Sequence, residues 1–100
     1  MNIDKIDILD NNIELSIFPK TNKLIHNKKE TNITNEKIEE LLNIIRSWKP
    51  YYYSRKGFDG ARVAIKIYYD GKVDTITMTR KLPNNYDVFN KFVRDLYGRW

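Results

Sequence analysis

Apolar and polar residues alternate strictly over residues 61–80, and the alternation reverses at Asp70-Gly71. A two-residue hairpin turn of this kind needs φ > 0 at both central positions, which Asp and Gly tolerate. The register follows: Ile67 falls opposite Asp74, Ile65 opposite Ile76 and Val63 opposite Met78, which gathers the aliphatic side chains on one face. The other face holds Arg62, Ala64, Lys66 and Tyr68 against Val73, Thr75, Thr77 and Thr79, as in an antiparallel pair with one wet side. A second period-two stretch runs through Ile6-Asp7-Ile8-Leu9 and Ile13-Glu14-Leu15-Ser16-Ile17-Phe18 about Asn11-Asn12. It predicts another hairpin, with Ile8 opposite Leu15 and Ile6 opposite Ile17. Pro19 ends pairing on its side, and the residues after it read as a turn. Leu24-Ile25-His26 can add a short strand, while the polar run 27–32 reads as a solvated loop.

The period then changes. Thr34 has the marks of a helix N-cap, with Ile33 and Ile38 placed to close a hydrophobic staple and Glu36, Glu39 and Glu40 favouring the positive helix start. Ile38, Leu41, Leu42, Ile45 and Trp48 recur at helical spacing up to Pro50, which predicts one helix of about 14 residues. Residues 51–60, beginning Tyr51-Tyr52-Tyr53, have no clean period, though tyrosine favours a strand. After the central hairpin, Pro83 and Asn84-Asn85 break the pairing, and Asn85 can cap a last helix whose core side is Phe89, Phe92, Val93 and Leu96. Asp87, Lys91 and Asp95 form its far side, and Gly98 suits its C′ position before Arg99-Trp100. The order β-β-α-β-β-α predicts an α+β fold in a single domain spanning residues 1–100. It is a two-layer sandwich in which an antiparallel sheet of four or five strands, built from two hairpins, carries both helices on one face. Ile65, Ile67, Ile76, Phe92, Leu96 and Trp48 are the expected core.

Composition sharpens this picture. Hydrophobic residues make up 41% and charged residues 31% of the chain, so the sequence is that of a globular domain and not of a disordered one. There are no cysteines, which excludes a disulfide scaffold, a thiol nucleophile and cysteine-rich zinc modules. The N-terminal residues lack the apolar region of an export signal, and no apolar run approaches the roughly 20 residues of a membrane span. A soluble, cytoplasmic protein is expected. Heavy use of Asn, Ile, Lys and Tyr points to A/T-rich coding, as in a low-GC bacterium or its phage. Residues 1–50 hold 8 Lys/Arg against 8 Asp/Glu, whereas residues 51–100 hold 10 against 5, so the net +5 belongs to the second half. An acidic partner surface, or nucleic acid, is the natural complement.

Motifs for chemistry are lacking. His26 stands in a polar stretch without an acid or nucleophile at diagnostic spacing. The acidic residues are accounted for by helix starts, turns and caps, and metal ligation through Asp70 and Asp74 would require further oxygens converging from other segments. No Gly-rich phosphate loop, nucleophile elbow or paired-carboxylate motif occurs, so no catalytic residue, cofactor or metal is predicted and the chain is expected not to be an enzyme. Binding chemistry is better represented. Tyr52, Tyr53, Arg55 and Lys56 interleave aromatic faces with cations, and Arg62, Lys66, Tyr68, Arg80 and Lys81 extend them along the hairpin. If the connecting segment folds along the hairpin, Arg55, Lys56, Arg62, Lys66, Arg80 and Lys81 make one continuous patch, and all nine residues are the candidates for partner binding.

Trp48, Asp59-Gly60, Asp70-Gly71 and Pro83 ahead of Phe89 and Phe92 resemble a pattern of small bacterial and prophage proteins. The short, cysteine-free, motif-free chain is also similar in style to phage anti-defence proteins of the anti-CRISPR kind, and to small toxin-immunity proteins. That resemblance implies a stoichiometric inhibitor that masks a surface of a larger bacterial protein or ribonucleoprotein, often its nucleic-acid-binding groove. A small basic nucleic-acid-binding module is the alternative. Reading the chain as such an inhibitor makes the nine residues above its contact surface.

Overall fold

The Asp70-Gly71 turn closes as its residue types require, with φ of +49° and +72°. The computed structural model describes residues 2–53, 62–79 and 81–97. From that turn β6 (Arg62–Tyr69) and β7 (Lys72–Thr79) pair with Ile67 opposite Asp74, Ile65 opposite Ile76 and Val63 opposite Met78. The N-terminal hairpin of β1 (Ile3–Asp10) and β2 (Ile13–Phe18) likewise pairs Ile8 with Leu15 and Ile6 with Ile17. Only Asn11 of its Asn11-Asn12 turn takes a left-handed φ, +58°.

The sheet is larger than the sequence pattern predicts. Leu24 belongs to β3 (Lys23–His26), and the polar run read as a loop holds β4 (Lys29–Asn32), paired with β3. The turn between them has Asn27 at φ +50° and Lys28 at +64°, so both residues are left-handed as in a type I′ hairpin. Lysine at such a position obscures the turn, and an edge strand with little buried surface carries no apolar alternation to reveal it. After the first helix, β5 (Tyr51–Tyr53) runs parallel to β7 at the far edge. Among the described residues the strands are ordered β4-β3-β2-β1-β6-β7-β5, antiparallel except for β5.

The first helix, α1 (Asn35–Ile45), starts at Thr34, whose Oγ1 accepts from the Lys37 amide at 3.2 Å. Asn22 sets its approach: its Nδ2 donates to the Ile33 carbonyl at 2.9 Å and to Asn35 Oδ1 at 2.8 Å. The helix has 11 residues, shorter than its apolar spacing suggests. Trp48 lies beyond it, its amide donating to the Ile45 carbonyl at 3.0 Å. The last helix, α2 (Tyr86–Tyr97), begins after Asn85, whose carbonyl accepts from the Phe89 amide. The Asn85 side chain does a different task from capping. Its Oδ1 accepts from Trp48 Nε1 at 2.6 Å and its Nδ2 donates to the Ile44 carbonyl at 3.0 Å, which pins the start of α2 to the end of α1. The expected C′ residue Gly98 lies outside the described residues.

Both helices cover one face of the sheet. Ile6, Ile8, Leu15, Ile17, Leu24, Val63, Ile65 and Met78 from that face share one core with Ile38, Leu41 and Ile45 of α1 and Phe89, Phe92 and Val93 of α2. Trp48 packs edge-on against Phe89, ring centroids 5.1 Å apart. An α+β two-layer sandwich results. Of the expected core, Ile65, Phe92 and Trp48 are buried, while Ile67, Ile76 and Leu96 are only partly so. Ile67 stands near the Asp70-Gly71 turn opposite Asp74, Ile76 one strand from the edge, and Leu96 in the last turn of α2.

Ile65→Ala removes a fully buried side chain from the middle of this core and should cost about 2 to 5 kcal/mol in urea denaturation. A loss under about 0.5 kcal/mol, the size of a neutral surface change, would mean that Ile65 faces solvent. Lys28→Gly should instead stabilise the protein by roughly 0.5 to 1 kcal/mol, since glycine relieves the left-handed strain and gives back part of the gain as chain entropy. A lower urea midpoint for that variant would refute the turn geometry.

Candidate binding surface

Strand alternation sends every second side chain away from the helices. Among the described residues no helix or strand lies over this outer face. Arg62, Lys66 and Tyr68 project from it along β6, Arg62 and Lys66 exposed and Tyr68 half-buried. Arg62 and Lys66 stand four residues apart, about 13 Å along the strand. Tyr53 pairs with Thr79, which in turn pairs with Arg62, so the backbone of β5 joins the same cross-strand row. Tyr52 pairs with Met78. Lys81 is exposed just beyond β7. Arg55, Lys56 and Arg80 lie outside the described residues. The structure therefore brings Arg62, Lys66 and Tyr68 onto one face and sets the backbones of Tyr52 and Tyr53 two strands away.

The neighbouring strand adds groups the sequence pattern does not single out. The β1–β6 register places Lys5 opposite Tyr68, Asp7 opposite Lys66 and Leu9 opposite Ala64. Lys5 Nζ lies 5.6 Å from the Tyr68 ring centroid, 6.0 Å from that of Phe18 and 3.3 Å from Asp7 Oδ2. Asp7 Oδ1 also accepts from Ser16 Oγ at 2.8 Å. Glu14 is exposed on the same face, opposite Leu9. Cations on the β6 side thus border a carboxylate already held by Lys5 and Ser16. The surface is mixed and amphipathic: aromatic and aliphatic patches (Tyr68, Phe18, Leu9, Val73) lie between charges of both signs.

A second polar cluster sits inside the molecule. Asp10 follows Ile6 and Ile8 on the core face and is buried at 2% exposure, the one buried charged residue among those described. Tyr86 Oη donates to its Oδ1 at 2.8 Å, Asn11 Nδ2 to the same oxygen at 3.0 Å, and Asn90 Nδ2 to its Oδ2 at 3.3 Å. Burial first, then the hydrogen bond to the Asp10 carboxylate, pushes the Tyr86 hydroxyl up to about 12 from 10.0. A phenol that keeps its proton can go on donating to a buried carboxylate, so the cluster binds the end of β1 to α2. Next to it the Asn11 amide donates to the Arg62 carbonyl at 2.9 Å and the Arg62 amide to Asn11 Oδ1 at 3.2 Å, which fixes the start of β6 and the placement of Arg62. One signal for this cluster was open to sequence reading, namely an aspartate at a core-facing position of a period-two strand.

Among the described residues no group of three or more His, Asp or Glu side chains could hold a metal ion. No described helix is long and apolar enough to cross a membrane. No protein-family model, curated protein or solved structure matches the chain.

Tyr86 binds its proton more tightly in the folded chain, so unfolding releases a proton once pH exceeds the ordinary tyrosine value. Its contribution is complete below about pH 10 and is lost between about pH 10 and 12. Stability followed by urea melts should therefore fall more steeply over that interval in the wild type than in Tyr86→Phe. Asp10→Ala, which strands the Tyr86 and Asn90 donors, should cost roughly 1.5 to 3 kcal/mol at neutral pH.

Proposed function

We propose that this chain is a non-enzymatic binding protein that inhibits or modulates a larger bacterial protein or ribonucleoprotein by masking one of its surfaces, in the manner of anti-CRISPR-type inhibitors and toxin-immunity proteins, and that the surface it meets is acidic. The observation that carries this reading is the outer sheet face, on which Arg62 and Lys66 are exposed beside Tyr68 with no element lying over them among the described residues. Arginine and tyrosine are favoured anchors of protein interfaces, and cations around them steer an acidic partner in. Asp7 and Glu14 argue against the nucleic-acid alternative. They interrupt the cations with negative charge, whereas affinity for a phosphate backbone rests on cations set along its path. The place of action on this reading is the cytoplasm of the bacterial host, which suits a chain free of cysteine.

Arg62→Glu/Lys66→Glu should keep the fold, both side chains being exposed, and should slow association with the partner by about tenfold or more through like-charge repulsion. The comparison is affinity capture from a low-GC bacterial lysate, followed by association kinetics on the captured partner. Wild type, this double variant and a Lys28→Glu/Lys29→Glu control, at the β3–β4 turn and the first residue of β4, serve as baits. Capture that survives the first change and fails in the second would place the surface on the N-terminal half and sink the proposal. Mobility-shift titrations with single- and double-stranded DNA and RNA complete the test, because tight binding that weakens steeply with salt would establish the nucleic-acid reading instead.

A further inference from the structure

The helical layer has the opposite electrical character from the rest of the chain. α1 and α2 together hold five carboxylates (Glu36, Glu39, Glu40, Asp87, Asp95) against three cations (Lys37, Lys91, Arg94), a net of −2 in a chain whose total is +5. Everything outside the helices therefore sums to +7, since −2 and +7 make +5. This segregation coincides with a cleft. Asn85 pins the start of α2 to the end of α1, and Lys37 near the start of α1 lies over Phe92 in the second half of α2, so the helices run antiparallel. Between them opens a groove of about 740 Å³, floored in part by Leu24.

Its walls repeat every three or four residues. Val88, Phe92 and Leu96 line it from α2, and Ile44 lines it from α1. Val88 is 52% exposed, a large aliphatic side chain left in water on a helix whose other apolar positions reach the core. Charged side chains border these walls, with Glu36 and Glu40 beside Lys37 on one side and Asp95 beside Lys91 on the other, three carboxylates against two lysines. Lys37 shows what the groove takes up: its Nζ lies 3.5 Å from Glu40 Oε2 and 5.8 Å from the centroid of the Phe92 ring. The chain's own lysine already occupies an anionic, aromatic seat for a cation.

We infer that the groove between α1 and α2 binds a cationic amphipathic helix of a partner protein. Apolar side chains on one stripe of that helix fill the space between Val88 and Ile44, and its flanking Lys or Arg side chains meet Glu36, Glu40 and Asp95. A third helix laid into a two-helix groove is an established mode of recognition, with anchors spaced three and four residues apart. The site lies on the opposite layer from the sheet face and takes a partner of opposite charge. It rests on its own observations, so the two readings can fail separately.

The test uses the full chain, isotope-labelled for NMR, and two synthetic helical probes with identical leucine stripes, one carrying lysine and the other glutamate on its polar face. The lysine probe should bind and shift the amide signals of Ile44, Val88 and Leu96. The glutamate probe should not bind. Glu36→Lys/Glu40→Lys should weaken the lysine probe by about tenfold or more through charge reversal, while Lys37→Ala, which clears the seat, should tighten it severalfold. Arg62→Glu/Lys66→Glu on the sheet face should leave those groove shifts in place. Amide spectra of each free variant, matched to the wild type, confirm that its fold is kept. No binding by the lysine probe, equal binding by both probes, or shifts confined to the sheet face would each overturn the inference.

Discussion

The antiparallel pairing of β1 with β6 is the constraint on which the rest of the molecule depends. Each hairpin carries its own register through its own turn, but neither can bury its aliphatic face alone. Pairing Ile6 with Ile67, Ile8 with Ile65 and Asp10 with Val63 puts both aliphatic faces on the same side of one sheet. A slip of one residue would send one set to solvent. With the register as it is, a continuous apolar surface forms over which the helices can close. A bulge at Asp4, where Ile3 pairs with Tyr69 and Lys5 with Tyr68, takes up the remaining mismatch at the far end of β1.

Polar groups then set where the helices lie. Apolar packing is not directional, so the stripe of α2 could settle on the sheet in several positions. Asp10 is buried and must have its oxygens satisfied, and Tyr86 and Asn90 satisfy them only when α2 crosses the end of β1. Asn85 does the same for the two helix ends by joining Trp48 to the Ile44 carbonyl. These are interactions between residues 37 to 80 positions apart.

The consequence for function is a molecule with two unlike layers. One presents a twisted sheet face with cations, aromatics and a central carboxylate; the other presents two helices with an acidic cleft. On the two readings proposed above each layer meets a different partner, with the core lying between the two surfaces.

Sequence by itself determined the two long hairpins, their registers, the faces they bury, the N-cap at Thr34 and the apolar side of α2. These follow from interactions within about twenty residues, where turn chemistry and side-chain period leave few alternatives. Sequence also placed Arg62, Lys66 and Tyr68 on the wet face, since alternation from Asp70-Gly71 decides that locally. The polar strand β4 escaped it, because an edge strand carries little apolar pattern and its turn uses lysine where glycine is usual. Only the tertiary structure decided that β1 and β6 join the hairpins, that β5 lies parallel to β7, and that Asp10 meets Tyr86. It alone set Asp7 and Lys5 beside the β6 cations and opened the groove between the helices. Each of these depends on which distant segments become neighbours, and that choice is made by the summed burial of the whole core and not by the residues of any one stretch.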